Sequence, residues 1–251
     1  MNEAMRWGMV SLLAVALVAS ATQAAGEADV WSVAAPTVPA GPVAGYVLVG
    51  GPYYEAYATS ADTAGGFDED FQSGADWVFV MASIPAGGAI GWVDPTIGGS
   101  SAEAQAVAST PGFGAASYGY ALGAGVFEVP DGGAVGFAAD YEIGFDLSTD
   151  MAGDSAGGSA IVALTLYDEF DNVVDEDFFD IYPYVQDGDD ASDSILGTLS
   201  VSGMFAPGGI AKVMFSADAE AMAYSVPAPG ALLLGTFGAG LAGWLRRRRA
   251  V

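Results

Sequence analysis

Val135-Gly136-Phe137-Ala138-Ala139-Asp140-Tyr141-Glu142-Ile143-Gly144-Phe145-Asp146-Leu147 decides the fold class of this chain. Every odd position is apolar, while the even positions hold glycine, alanine, Asp140, Glu142 and Asp146. Successive side chains of a strand leave on opposite faces, so this period of two predicts a strand with one face buried and the other wet.

Outward from that strand the texture repeats. Residues 161–167 are apolar on both faces and read as a more central strand, 168–172 as a turn, and 173–181 as a returning, polar-edged strand. Residues 195–201 alternate through Ile195, Leu199 and Val201. Residues 212–226 close the domain, with Ala217, Ala219, Ala221 and Ala223 on one side and Asp218 and Glu220 on the other. Earlier strands are expected at 46–49, 77–81, 89–93, 117–122 and 126–129, with a brief helix at 101–107. The Ala-, Pro- and Gly-rich residues 25–45 read as a linker or irregular lead-in. About ten strands with Gly-rich connections predict an all-β fold: an antiparallel, jelly-roll-like β-sandwich over residues 46–225.

The two ends carry a different signature. Arg6, the apolar run 7–18 and the small residues Ala19 to Ala24 have the layout of a secretory signal helix, residues 1–24, with cleavage after Ala24 or Ala21. At the other end, residues 226–251 begin Val226-Pro227-Ala228-Pro229, continue into the uncharged run 231–245 and finish on Arg246, Arg247, Arg248 and Arg249. As a helix that run spans roughly 22 Å, short of the ~30 Å hydrocarbon core. The arginines mark its cytoplasmic side, which places the domain across the inner membrane. Gly235, Ala239 and Gly243 form a small-residue face along it.

This three-part tail resembles the PEP-CTERM sorting signal of Gram-negative bacteria that make exopolysaccharide. Pro227 and Pro229 match its prolines, 231–245 its single membrane helix and Arg246 to Arg249 its basic stop; Ala228 stands where the family carries glutamate. The resemblance implies recognition by exosortase, a membrane protease-transpeptidase, and delivery to the cell surface. It covers about a tenth of the chain and implies no activity for the domain.

Charge bounds the rest. Setting aside Glu3, Arg6 and the terminal arginines leaves thirty acids against one base, Lys212, a net charge of −29. No basic patch can form, which excludes nucleic-acid binding through one. The chain has no cysteine and no histidine, which removes disulfides, the commonest zinc ligand and the commonest general base.

Four constellations invite chemistry. Gly153-Asp154-Ser155-Ala156-Gly157 matches the G-x-S-x-G pattern of lipase-type hydrolases, but no histidine exists to activate Ser155 and a strand follows, so a turn between strands is expected. Residues 168–193 hold eleven acids and no base; they read either as a solvated acidic surface or as a Ca²⁺ loop at Asp187, Asp189, Asp190 and Asp193. Asp140 and Glu142 stand about 7 Å apart on one strand face, a separation that glycosidases use, though only in a sheltered cleft. Trp31, Trp77, Trp92, Tyr53, Tyr54 and Tyr57 offer aromatic faces for sugar rings, with core packing the simpler account of Trp77.

The expected protein is therefore a non-enzymatic, exported structural or adhesive component of an extracellular polysaccharide layer. Its carboxylates would hold divalent cations that bridge to anionic polymer. The rivals are a carbohydrate-binding module, Ca²⁺-dependent or not, and a secreted glycan-active enzyme.

Overall fold

The computed structural model describes residues 26–37, 47–75, 78–94, 99–108 and 112–226. Strand accounts for 81% of the structure, and no helix occurs among the described residues. The strands are β1 (Gly26–Thr37), β2 (Val47–Asp62), β3 (Phe67–Gly74), β4 (Val78–Ile84), β5 (Gly87–Asp94), β6 (Gly99–Ala108), β7 (Gly114–Val129), β8 (Gly133–Thr149), β9 (Ser155–Tyr167), β10 (Val173–Ile181), β11 (Tyr184–Gln186), β12 (Asp190–Phe205) and β13 (Gly209–Tyr224). They form two antiparallel sheets, ordered β12-β8-β1-β6-β5-β4 and β10-β9-β13-β7-β2-β3, with β11 added to β9. The sheets pack face to face as a β-sandwich. The segment 1–24 read as a signal, Trp77 and the tail from Pro227 onward lie outside the described residues.

The strand that decided the fold class is β8. Val135, Phe137, Ala139, Ile143 and Leu147 are buried, while Asp140, Glu142 and Asp146 face solvent. It lies between β1 and β12, with Ile143 opposite Ser32 on one side and Ile195 on the other.

Three expectations change. The supposed lead-in 25–45 contributes β1, an interior strand between β6 and β8. Its inward positions are Ala28, Val30, Ser32 and Ala34, all fully buried, and they alternate with Glu27, Asp29 and Trp31 outside. The supposed helix at 101–107 is β6: Ala102, Ala104, Ala106 and Ala108 are fully buried, and Glu103 and Gln105 point to water. Alanine favours helix in isolation, but here the two-residue period and the neighbouring strands override that preference. The segments 117–122 and 126–129 are one strand, β7, and β3 was not anticipated at all.

The middle of the sandwich is thin. Its facing layers are built from alanines of β6, β7 and β13, so the backbones come unusually close. The buried Ser32 hydroxyl of the first sheet donates to the backbone carbonyl of Asp218 in the second, at 2.8 Å. A Cβ at Gly119 would sit 2.5 Å from the Ile90 carbonyl oxygen, and one at Gly91 would collide with the carbonyl of Tyr120. Larger side chains (Phe137, Ile143, Leu164, Leu166 and Phe215) fill the flank toward β10 and β12. A smaller core of Val78, Val80, Val93, Tyr54 and small alanines lies toward β3 and β4.

Both long edges are closed by acids. Edge strands present unpaired N–H groups that invite pairing with another chain. On one edge, β3 projects Asp68, Asp70 and Gln72 across to β4. They accept from the N–H groups of Ser83 (2.8 Å), Met81 (3.3 Å) and Phe79 (3.0 Å). On the other edge, Asp175 and Asp177 of β10 accept from Ser202 and Ser200 of β12, both at 2.8 Å. In each case, alternate side chains of one sheet's edge strand meet alternate amides of the other sheet's edge strand. Behind the second ladder, Tyr141 and Phe179 stack with centroids 5.2 Å apart.

Candidate functional site: the outer face of the second sheet

On the outer face of the second sheet, strand register lines residues into rows that cross β2, β7, β13 and β9. The outermost row runs Ala61, Ala116, Met222, Gly157 and Tyr184. The next runs Thr59, Tyr118, Glu220 and Ser159. The third starts on β3 and runs Phe71, Tyr57, Tyr120, Asp218 and Ile161. Residues two apart on a strand share a face, so consecutive rows stand about 7 Å apart.

The first row floors an open groove of about 490 Å³ whose walls include Tyr184, Tyr224, Asp62 and Thr63. The floor is low because its residues are small: Ala61, Ala116 and Gly157 leave space that longer side chains would fill. Tyr184 and Tyr224 are 63% and 44% exposed and Met222 is 48% exposed, so rings and thioether are open to a ligand. A Cβ at Gly157 would crowd the Tyr184 ring and the Pro183 carbonyl at 3.0 Å each, so both would have to give by a few tenths of an ångström. Asp62 is committed locally: its Oδ1 accepts from the N–H groups of Ala64 and Gly66 in the β2–β3 turn.

The neighbouring rows are polar and acidic. Tyr118 donates its hydroxyl to Asp218 at 2.6 Å, and Ser159 donates to Glu220 at 3.4 Å. Burial pushes the Asp218 carboxyl above its ordinary pKa against the opposing effect of the Tyr118 hydrogen bond. Burial, then the Asp218 bond and charge, push the Tyr118 phenol upward; Tyr120 rises through burial and the same carboxylate. Both phenols therefore stay protonated donors at any ordinary pH. Further along, Tyr53 donates to Glu55 at 2.6 Å. The face thus offers ring surfaces beside a field of carboxylates and hydroxyls.

The other sheet's outer face carries a tighter acidic patch. Glu27, Asp29, Asp146 and Ser148 line a depression of about 150 Å³. Asp29 Oδ1 is buried there without a hydrogen-bond partner. Burial, then the charges of Glu103, Asp146 and Glu27, raise its pKa to about 6. Among the described residues, no group of three or more carboxylates is placed to hold a metal ion.

The residues singled out in the sequence fall as follows. Asp187 accepts the N–H of Gly153 at 2.7 Å, and its own N–H donates to the Asp154 carbonyl. Its φ of 62° places it in the left-handed region at the tight turn into Gly188. The Asp189 carbonyl accepts from both the N–H and the hydroxyl of Thr149, Asp190 opens β12, and Asp193 accepts the N–H of Ser194. Of the four, the carboxylates of Asp187 and Asp193 bond to backbone N–H groups, while Asp189 contributes its carbonyl.

The G-x-S-x-G run is the turn from β8 into β9. Its Asp154, fully buried, accepts from the Ser225 hydroxyl (3.0 Å) and the Val226 N–H (3.1 Å), so it fastens the last described residues before Pro227. Asp154 Oδ2 is buried and unpartnered. Asp140 and Glu142 are exposed and accept from the hydroxyls of Thr198 and Ser194, in place of the shelter an acid pair needs. The Trp31 indole lies over Gly144 on the same face. Tyr53 and Tyr57 do point outward, whereas Tyr54 is core. The sequence reading missed Tyr118, Tyr120, Tyr184 and Tyr224; the Tyr-Gly-Tyr alternation at 118–120 opposite the Asp-Ala-Glu alternation at 218–220 was the available signal.

No protein-family model and no curated protein sequence matches the chain. Among solved structures, it is similar at 14% identity to the enzymatically active domain of bacteriophage CBA120 tailspike protein 4, over 59% of this chain but only 18% of that one, with a TM-score of 0.15. A chain of the infectious bursal disease virus Gx strain matches at 10% identity over 86% and 73% of the two lengths, TM-score 0.13. The C-terminal globular domain of an oligosaccharyltransferase from Pyrococcus abyssi matches at 8% over 70% and 41%, TM-score 0.11. Overlaps this weak carry no functional argument.

Proposed function

We propose that the chain is an exported structural and adhesive protein, directed by its PEP-CTERM-like tail to an extracellular polysaccharide layer, where it grips polymer in the groove on the outer face of its second sheet. One observation carries this reading: exposed Tyr184 and Tyr224 stand over a floor of Ala61, Ala116 and Gly157 in an open groove of about 490 Å³. Sugar rings present apolar C–H faces that stack on such rings, and the hydroxyls at their edges suit the adjacent polar row. A groove open along its length suits a polymer passing through it. The tail's partners under this proposal are an exosortase-type membrane enzyme and the inner membrane.

Retention of the full-length protein on immobilised polysaccharides, with and without chelator, tests the proposal. Tyr184→Ala combined with Tyr224→Ala is expected to abolish retention while leaving the melting temperature unchanged; undiminished retention in that variant overturns the groove reading. Retention lost on chelation would instead support Ca²⁺-dependent attachment. Mass spectrometry of surface and inner-membrane fractions reads the tail: a terminus near Pro227 supports processing, and an intact Arg249 in the surface fraction counts against it.

A further inference from the structure

We infer that the polymer this groove prefers carries free amino groups: a wholly or partly de-N-acylated hexosamine polysaccharide. This rests on the proposal that the face binds polysaccharide, and adds the class of sugar.

The inference comes from the order of the rows. A ring resting on Met222 between Tyr184 and Tyr224 has Glu220 as its neighbour, two residues back along β13 on the same face and about 7 Å away. Glu220 receives only a long 3.4 Å bond from Ser159, which leaves its charge weakly compensated. Asp218 follows one row further, partly buried, its ionised form disfavoured by that burial. An ammonium group brought beside these two carboxylates restores what desolvation removed, because opposite charges at close range favour the ionised forms of both.

The face holds nothing to welcome an acidic sugar. Among the described residues the only base is Lys212, twelve positions and about 40 Å along β13 from Tyr224, and it is held by Asp171 at 2.6 Å. A uronate in the groove would meet no cation, only neutral hydroxyls and carboxylates, in a domain whose charge is almost wholly negative. A neutral sugar gains the stacking and loses nothing; an amino sugar gains both.

Calorimetry on the full-length protein with three oligosaccharide probes of equal length decides the matter: β-1,4-linked glucosamine, the same chain N-acetylated, and an oligouronate. The glucosamine chain is expected to bind at least about tenfold tighter than its N-acetylated form at low salt. That ratio should shrink toward unity near 1 M salt, where the screening length is only ~3 Å. Glu220→Gln is expected to bring the ratio of the two affinities close to unity, and an undiminished ratio in that variant overturns the assignment to Glu220. Equal affinity for the two glucosamine chains, or tighter oligouronate binding, overturns the inference while leaving polysaccharide binding intact. Failure of all three probes together with every immobilised polysaccharide overturns both. If Asp140→Asn with Glu142→Gln, on the opposite outer face, weakens glucosamine binding as much as Glu220→Gln does, the attraction is diffuse and the site assignment fails.

Discussion

The edge ladders and the Asp29 patch contain the same side chains and have opposite effects. At the edges, Asp68, Asp70, Asp175 and Asp177 each meet a backbone N–H that would otherwise face water or another chain. In the patch, Asp29 has a buried oxygen with no donor and three acidic neighbours. A carboxylate is welcome where an amide awaits it and costly where other carboxylates do. In so acidic a protein, stability depends on how the acids are distributed more than on how many there are.

The largest expected effect comes from dismantling the better-backed ladder. Asp175→Ala with Asp177→Ala frees two amides of β12 and loosens the cover over Tyr141 and Phe179. A loss of about 3 kcal/mol, or roughly 6–12 °C in melting temperature, is expected by calorimetry. A loss below a degree would mean that water serves those amides equally well. Asp68→Ala with Asp70→Ala should cost less globally, about 2 kcal/mol, because β3 adds little core. Its signature is local: amide exchange at Met81 and Ser83 should accelerate at least about tenfold while exchange in β8 stays unchanged.

Asp29→Asn should move the other way. The folded pKa of about 6 lies above the ordinary aspartate value of 3.8, so between the two the native state holds a proton that the unfolded chain has released. Stability therefore falls as pH rises through that window, and the penalty is complete above it. Asp29→Asn is expected to gain about 1 kcal/mol at pH 7 to 8, allowing for solvent screening of a half-exposed group, and to gain nothing near pH 4. A gain independent of pH would show that charge is not the cause. Glu103→Gln, which removes the foremost neighbouring charge, should give a smaller gain with the same pH dependence, within about 0.5 kcal/mol.

The architecture was legible wherever apolar residues kept the two-residue period, as in β8 and β13. It was illegible where the inward residues were not distinctly apolar. β3 turns Asp68, Asp70 and Gln72 inward, so its alternation carries no hydrophobic signal. After the buried Ser100, β6 turns only alanine inward, and alanine with Glu103 and Gln105 suits a helix just as well. β1 was obscured by its Ala- and Pro-rich surroundings, since Ala28, Ser32 and Ala34 mark a core position only once Val30 and the partner strands are known. Within the candidate face, Tyr53 and Tyr57 were visible as aromatics. Tyr118 and Tyr184 come from distant strands, and only sheet order brings them to one surface with Glu220 and Met222. The acids of 168–193 were read as a group, yet Asp168, Asp175, Asp177, Asp187 and Asp193 each accept from a different backbone amide and Asp171 pairs with Lys212, and pairing across strands of that kind depends on tertiary register.

The fastening of Ser225 and Val226 to Asp154 has a mechanical consequence. These residues follow directly on β13, an interior strand hydrogen-bonded along its length to β7 and β9. Tension applied beyond Val226 first meets the Asp154 clasp and then runs parallel to β13. The cross-strand bonds on both flanks then bear it together as shear, instead of parting one after another like a peeled strip. A tether leaving through this point is attached where the molecule is hardest to tear, and single-molecule pulling through Val226 should rupture at higher force than pulling through β12.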